Sequence, residues 1–554
     1  MSEPQVKGEG EVGGGAWTEE RGTSDEGRRR SEGGMGRRAG PRRRAANRVP
    51  LDLAGLRGAL ADAPEPFEPL GMAGLVVGPG ALDRLGDVLA GLGAGAGDVV
   101  VLAAATPITV RGSGLRQAIE ERITSRYAVK WVELGPADGS VHADEQTVAT
   151  AARATAGAGS VVTVGSGTVT DIGKAAAGAG TPLVAVQTAT SVNGYADPFS
   201  VLLRAGVKRT TPTRWPDWLV ADTDVLLAAP QRLNLAGLGD MAAMFTASAD
   251  WYLAALLGAD GPPYRAQAAN LVRPHGEVML RPGAGLTTDA WRLADLARLL
   301  TLSGICMGVT GSTAPASGME HAVSHLLEMA ATAAGTTTGT STGTSTPASN
   351  SSLHGEQVGV ASVVAAATWA HVRERIAAGG LGRPARRPDP DAVGDRIGAA
   401  FAGLDPSGAM AAECLADYAA KIRMLASGDD PLATLRAAWP DREAVIGGLL
   451  IGPAELAAGL RSAGLPVRFA DLPAPVDEAQ ARWAVANCAL QRRRFGVADL
   501  AMLLGAWEDD DVDAVLAAAE QAAGGGPEAA GGGPEATGGG RAAGRAGDDG
   551  ARAP

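Results

Sequence analysis

The spacing of apolar residues divides the chain into two differently patterned stretches. Between about 70 and 230, short apolar runs alternate with segments of helical spacing. Leu75–Val77, Asp98–Leu102, Lys130–Leu134, Ser160–Val164 and Pro182–Val186 read as strands, rich in Val. Ala81–Leu92, Leu115–Ile123, Ala143–Ala154 and a segment from about Thr168 read as the helices between them. Such alternation predicts a mostly parallel sheet with helices on both faces. From about 236 the strands vanish, and Ala236–Leu256, Ala290–Leu302, Glu320–Ala330, Val358–Ile376 and Met410–Ala426 carry helical spacing. The expected fold class is α/β: an N-terminal Rossmann-like parallel-sheet domain at 49–235, then an all-helical domain at 236–522. Ligand sites favour clefts between such units, so the chemistry is expected near that boundary.

Composition marks off the ends. Residues 1–48, rich in Gly, Glu, Arg and Ser, read as a disordered tail, and the Gly-Gly-Gly-Pro-Glu-Ala repeats of 523–554 as another. The Thr/Ser/Gly-rich stretch 332–352 reads as a low-complexity surface loop within the helical domain. Hydrophobic residues make up 45% of the 554, enough for a sizeable core. Aromatics at 4% and a net charge of -12 argue against nucleic acid or an anionic membrane as partner. The Arg-rich segment 28–48 could touch a polyanion, although runs of this kind are usually solvated tails. Cys306, Cys414 and Cys488 share no short spacing, which suggests reduced thiols in a cytoplasmic protein. No uninterrupted apolar run reaches the roughly 18–20 residues of a membrane span. No apolar stretch of signal-peptide type follows the N-terminal charges.

Two constellations carry candidate chemistry. In Val161–Lys174 a buried strand runs into Gly165-Ser166-Gly167 and opens a helix at Thr168. Glycines let the backbone approach a phosphate, and free N–H groups at the helix start hold its charge. The same residues also suit an ordinary tight turn. Thr188–Tyr195 then place small hydroxyl side chains at the end of the next strand, a ligand position in such sheets or simply a polar loop. The second constellation is metal-like. Asp240 follows Ala-Gly-Leu-Gly, His321 and His325 lie four apart on one helical face, and His354 leads another helix. One carboxylate and two imidazoles can bind a divalent ion and leave positions open, whereas any one of these histidines alone would suit a structural role.

With these segments in order, the chain resembles the sn-glycerol-1-phosphate dehydrogenases. That family falls in the superfamily of iron-containing alcohol dehydrogenases, glycerol dehydrogenases and dehydroquinate synthases. The carriers are residues 165–174, 190–195, 206–210 (Gly-Val-Lys-Arg-Thr), 236–240, 315–321, 354–359 and 493–500, within about 70 to 510. The resemblance implies a dehydroquinate synthase-like fold and a small-molecule substrate. It makes Asp240, His321 and His354 ligands of one divalent metal, zinc or nickel. Gly165 and Gly167, with Ser166 and Thr168, would hold the pyrophosphate of NAD(H) or NADP(H). Thr188 and Ser191 would lie toward its nicotinamide end. Asp171 would approach substrate hydroxyls and His325 would relay a proton. The implied reaction interconverts dihydroxyacetone phosphate and sn-glycerol 1-phosphate by hydride transfer. A dehydrogenase of another, unphosphorylated polyol and a dehydroquinate synthase-like lyase are the alternatives, and a homo-oligomer is compatible with the resemblance. The chain departs from the pattern at Ala104, where relatives often carry an acid for the adenosine ribose. It departs again at Met244 and Ala314, where Lys and Arg are expected. Two missing cations would weaken phosphate recognition unless Lys208 or Arg209 compensates.

Overall fold

In the computed structural model, residues 49–524 are described except 50, 94–96, 137–140, 205–206, 260, 282–284, 335–350 and 427–429. The expectations for the tails and most of the 332–352 loop lie outside the described residues. At the edges of that loop, Thr332 and Ala333 complete a helix, and Ser351 and Ser352 are buried.

The centre of the sheet forms where largely apolar runs leave no exposed face. Strands β1 (Gly74–Gly78), β2 (Val99–Ala104), β5 (Val129–Leu134), β6 (Ser160–Gly165), β7 (Leu183–Gln187) and β10 (Trp218–Asp222) pair in parallel in the order β1-β10-β7-β6-β2-β5. Every residue of β6 and β7 is buried, as a central strand covered on both faces requires. The minor strands β3 (Thr109–Val110) and β4 (Ser113–Gly114) form a small ribbon, and β8 (Phe199–Arg204) and β9 (Val207–Pro212) an antiparallel hairpin. The helices of this portion are α1 (Leu53–Ala61), α2 (Leu85–Gly91), α3 (Leu115–Ile123), α4 (Glu145–Thr155) and α5 (Gly167–Ala176). Asp144 starts α4 by accepting the Thr147 N–H at 2.7 Å.

Among the described residues helices and no strands follow β10: α6 (Thr223–Ala228), α7 (Gln231–Ala242), α8 (Met244–Leu256), α9 (Ala266–Leu280), α10 (Ala290–Val309), α11 (Met319–Ala333) and α12 (His354–Ala377). They continue with α13 (Pro390–Phe401), α14 (Ala409–Ala426), α15 (Ala433–Leu449), α16 (Pro453–Ala463), α17 (Glu478–Asn487), α18 (Val497–Leu504) and α19 (Asp509–Gly524). The expected fold class holds. The strand spans agree to within two residues and most helix spans to within a few; the helix expected at 290–302 runs on to Val309, and 236–256 belongs to two helices that start at Gln231 and are broken at Ala243. Both portions belong to one compact unit. One hydrophobic cluster runs from Ala185 and Leu219 of the sheet through the helices. Among the described residues one stretch, Ala433–Ala463, has the length and composition to cross a membrane. It is broken at Leu450–Gly452, and its two helices bury Leu435, Ile446, Leu456 and Leu460 in the common core.

Glycine decides how α7 meets α12. A Cβ on Gly239 would lie 2.0 Å from the Gly355 carbonyl oxygen, and one on Gly355 would lie 1.9 Å from that of Ala236. The two backbones therefore touch, and the residues beside these glycines, Asp240 and His354, are brought together.

Candidate active site and metal centre

Three helix positions converge. Asp240 Oδ1 lies 3.3 Å from His321 Nε2 and 3.9 Å from His354 Nε2. One ligand atom from each of the three lies within 4.8 Å of the others. The far side of each group is fixed. The Asn193 N–H donates to Asp240 Oδ2 at 2.9 Å. His321 Nδ1 faces Glu320 Oε1 at 3.1 Å, and Glu320 accepts the Thr246 hydroxyl at 2.7 Å. His354 Nδ1 faces Glu328 Oε1 at 3.1 Å and the Ser324 hydroxyl at 3.3 Å.

A carboxylate on each Nδ1 calls for a proton there, which turns the Nε2 lone pair toward Asp240. A lone pair aimed at a carboxylate oxygen is repulsive unless a cation or proton stands between them. The donor set therefore fits a divalent ion, with outer carboxylates of the kind that orient ligating histidines. Burial opposes charge on His321, but the bonds to Asp240 and Glu320 outweigh it and hold the imidazole above its usual range. Burial likewise opposes charge on Glu328, but Lys208 and His354 hold its carboxyl well below the ordinary value.

His325, one turn beyond His321, stacks on His354 with ring centroids 5.7 Å apart. His325, Glu328 and His354 form a second group of metal-ligand spacing. The Lys208 ammonium, 2.5 Å from Glu328 Oε2, already supplies that carboxylate with a positive charge.

These groups face a cleft whose other wall is the α/β portion. Its lining includes Gly167, Thr168, Asp171, Asp240, His321, His325 and His354. The remaining predicted residues divide. Gly165 pairs with Gln187 in the sheet, and the Thr188 N–H donates to its carbonyl at 3.1 Å. Thr188 and Ser191 are buried and do not line the cleft, whereas Val192, Asn193 and Gly194 of the same loop do. Ser166 caps α5 without a side-chain capping bond, and its buried hydroxyl has no hydrogen-bond partner among the described residues. A helix start with an unused buried hydroxyl fits a pyrophosphate.

Asp171 lines the cleft and is also tied down. Its carboxylate is 3.0 Å from Lys174 Nζ and accepts the Val201 N–H at 3.1 Å. The fully buried Lys174 also holds Asp197 at 3.1 Å and the Gly194 carbonyl at 2.8 Å. Burial raises Asp171 and pushes Asp197 up to about 6. Burial opposes charge on Lys174, but the two carboxylates keep it above the ordinary lysine value.

The sequence departures look different in place. Met244 is buried against Gly276 of α9 and does not line the cleft, so no cleft cation is lost there. Ala314 is buried in a short turn whose flanks hold two half-buried arginines. Arg494 donates to the Thr313 hydroxyl at 2.7 Å and Arg492 to that of Ser317 at 3.3 Å. Arg209 turns away, pairing with Glu413 at 2.9 Å and Asp417 at 3.1 Å. Lys208 remains in the lining. Reading the sequence missed Glu320, Glu328, Lys174 and Asp197. Glu320 was signalled by its place beside His321, and Lys174 by its place in the glycine-loop segment.

A domain profile described as iron-containing alcohol dehydrogenase matches residues 76–230. Glycerol-1-phosphate dehydrogenase (NAD(P)+) of Aeropyrum pernix is 30% identical over 306 residues, 54% of this chain and 79% of that one. The protein of the same name from Natronomonas pharaonis is 30% identical over 317 residues, 55% and 81% of the two chains. A solved structure, a probable glycerol dehydrogenase from Sinorhizobium meliloti, is 16% identical and covers 82% of this chain and 99% of that one at a TM-score of 0.49. The chain is thus an oxidoreductase of the iron-containing alcohol dehydrogenase family. Within it, the chain belongs with the NAD(P)-dependent glycerol-1-phosphate dehydrogenases.

Proposed function

We propose that this enzyme interconverts dihydroxyacetone phosphate and sn-glycerol 1-phosphate, using NAD(H) or NADP(H) and one divalent ion, zinc or nickel, at Asp240, His321 and His354. The observation that carries the reading is the convergence of those three side chains, each braced from behind, on a cleft that also receives the glycine-loop helix. When bound, the ion would polarise a ketone oxygen and the nicotinamide would supply the hydride.

The chain's own residues do the rest. Glu320 and Glu328 orient the two imidazoles. The first turn of α5 and the Ser166 hydroxyl offer donors to the cofactor pyrophosphate. Asp171, fixed by Lys174, presents a carboxylate to a substrate hydroxyl. His325, in the cleft beside His354 and held neutral by burial, relays a proton to the substrate oxygen, taking one up at its other ring nitrogen as it gives one.

The test is reduction of dihydroxyacetone phosphate with NADH and NADPH in parallel, with metal content measured, for the wild type and His321→Ala. Cofactor oxidation that disappears with His321 and with the metal supports the reading. Metal-loaded protein that oxidises neither cofactor overturns it.

A further inference from the structure

We propose that Lys208 is the residue that recognises the phosphate of the substrate and so selects a phosphorylated ketone over its unphosphorylated form. The inference rests on the function proposed above and names the group that sets its substrate class.

A phosphate monoester brings nearly two negative charges into the cleft. The cleft already presents the carboxylates of Asp171 and Asp197, which share the single buried cation Lys174, and of Asp240, which would face the ion. Like charges brought into one cleft repel, the more so away from bulk water. Lys208 is the one Lys or Arg among the described residues lining this cleft.

Its placement follows from strand geometry. In the β8–β9 hairpin Lys208 pairs with Leu203, and Thr210 with Val201. All four line the cleft, as residues two apart on a strand share a face. Arg209, between them, points to the opposite face and its acids on α14. Alternation therefore assigns one cation of the Lys-Arg pair to the cleft and the other to the protein surface.

Lys208 is also tied to the metal centre. Its ammonium is 2.5 Å from Glu328 Oε2, and Glu328 Oε1 is 3.1 Å from His354 Nδ1. An ammonium carries three donor hydrogens, so it can keep Glu328 and still offer a hydrogen to a phosphate oxygen. The tether holds the phosphate-binding charge two contacts from a residue placed to ligate the ion. That would fix the distance between the substrate's two recognised ends.

The test compares kcat/KM for dihydroxyacetone phosphate and for dihydroxyacetone in the holoenzyme. Lys208→Met should lower the ratio of the two values at least ~10-fold, the usual effect of removing a charged hydrogen-bond partner. The loss should lie mainly in KM, and competitive inhibition by inorganic phosphate should weaken in step. Lys208→Arg should restore part of both. A merely structural ion pair would depress both substrates alike and leave the ratio unchanged. Lys208→Gln keeps a donor for Glu328 without the charge and serves as the second variant if Lys208→Met does not fold. A wild-type preference for the phosphorylated ketone that survives in a folded variant overturns the role of Lys208 and leaves the proposed reaction standing. A wild type with no such preference overturns the phosphorylated substrate, and this inference with it.

Discussion

Replacing Gly355 by alanine tests whether the crossing of α7 and α12 builds the proposed metal centre. The new Cβ would stand 1.9 Å from the Ala236 carbonyl oxygen, a backbone atom that cannot rotate away. An ordinary carbon contact is about 3.5 Å, so the helices must part by roughly 1 Å or more. Overpacking of this kind costs about 1–3 kcal/mol. The shift reaches the chemistry directly, because His354 precedes Gly355 and Asp240 follows Gly239, which meets the Gly355 carbonyl. Losing an outer partner of a metal ligand weakens binding about 10–100-fold, and moving the ligand itself should do no less. At saturating metal a hundredfold weaker site removes about 2.7 kcal/mol more stability. Urea unfolding of the wild type and Gly355→Ala, each with excess zinc and with chelator, separates the two effects. The variant should lose stability in chelator and lose more with zinc. An equal loss in both conditions would refute the claim that this crossing positions the ligands, and no loss at all would refute the steric argument.

Three further outcomes are expected. Glu320→Gln, which removes the carboxylate 3.1 Å from His321 Nδ1, should weaken metal binding about 10–100-fold in a chelator competition; unchanged affinity would show that the contact does not orient the ring. Lys421 Nζ lies 2.9 Å from Asp499 Oδ1 with both side chains buried, so Lys421→Met should cost about 3–5 kcal/mol by denaturant titration, and pairing it with Asp499→Leu should recover most of that loss. Burial raises Asp197 from the ordinary 3.8 to about 6, so the folded protein binds this proton more tightly and the group's contribution falls as pH rises between those values. Asp197→Asn should accordingly gain stability relative to the wild type across that pH range, and a constant difference in urea midpoint would contradict the assignment.

The parallel sheet was legible because β6 and β7 are short, mostly apolar, Val-rich and bounded by turn residues, the pattern of a strand covered on both faces. The β8–β9 hairpin was not. Its residues 199–212 mix charged, hydroxyl and apolar side chains, because one face lines a cleft and the other meets α14. Periodicity registers burial, and a strand between a cleft and an ion pair has no single buried face. The break at Ala243 was hidden for the opposite reason: both sides of it are apolar, so the helical spacing carries straight through. The three residues that converge at the candidate metal centre were legible as residue types, and their grouping came from the order of the surrounding segments. Sequence could not show which carboxylates stand behind them, since Glu328 reaches His354 across 26 residues and two helices. It also overrated Met244, because spacing of one turn from Asp240 says nothing once the helix ends at Ala242.

Charge accounts for why these groups are buried together. Asp240, Glu320 and Glu328 all touch His321 or His354, and each is at most 1% exposed. Carboxylates removed from water to this extent persist only with compensating charge. Lys208 supplies one positive charge, on Glu328. Two negative charges remain among the groups in direct contact, and the imidazoles are aimed so that their second nitrogens meet at Asp240. A divalent cation at that point balances the cluster and accepts both lone pairs at once, which no protonation of a single histidine can do. The same balance explains a tethered Lys208: a cation that neutralises Glu328 at rest is already in the cleft, desolvated and oriented, when an anionic substrate arrives.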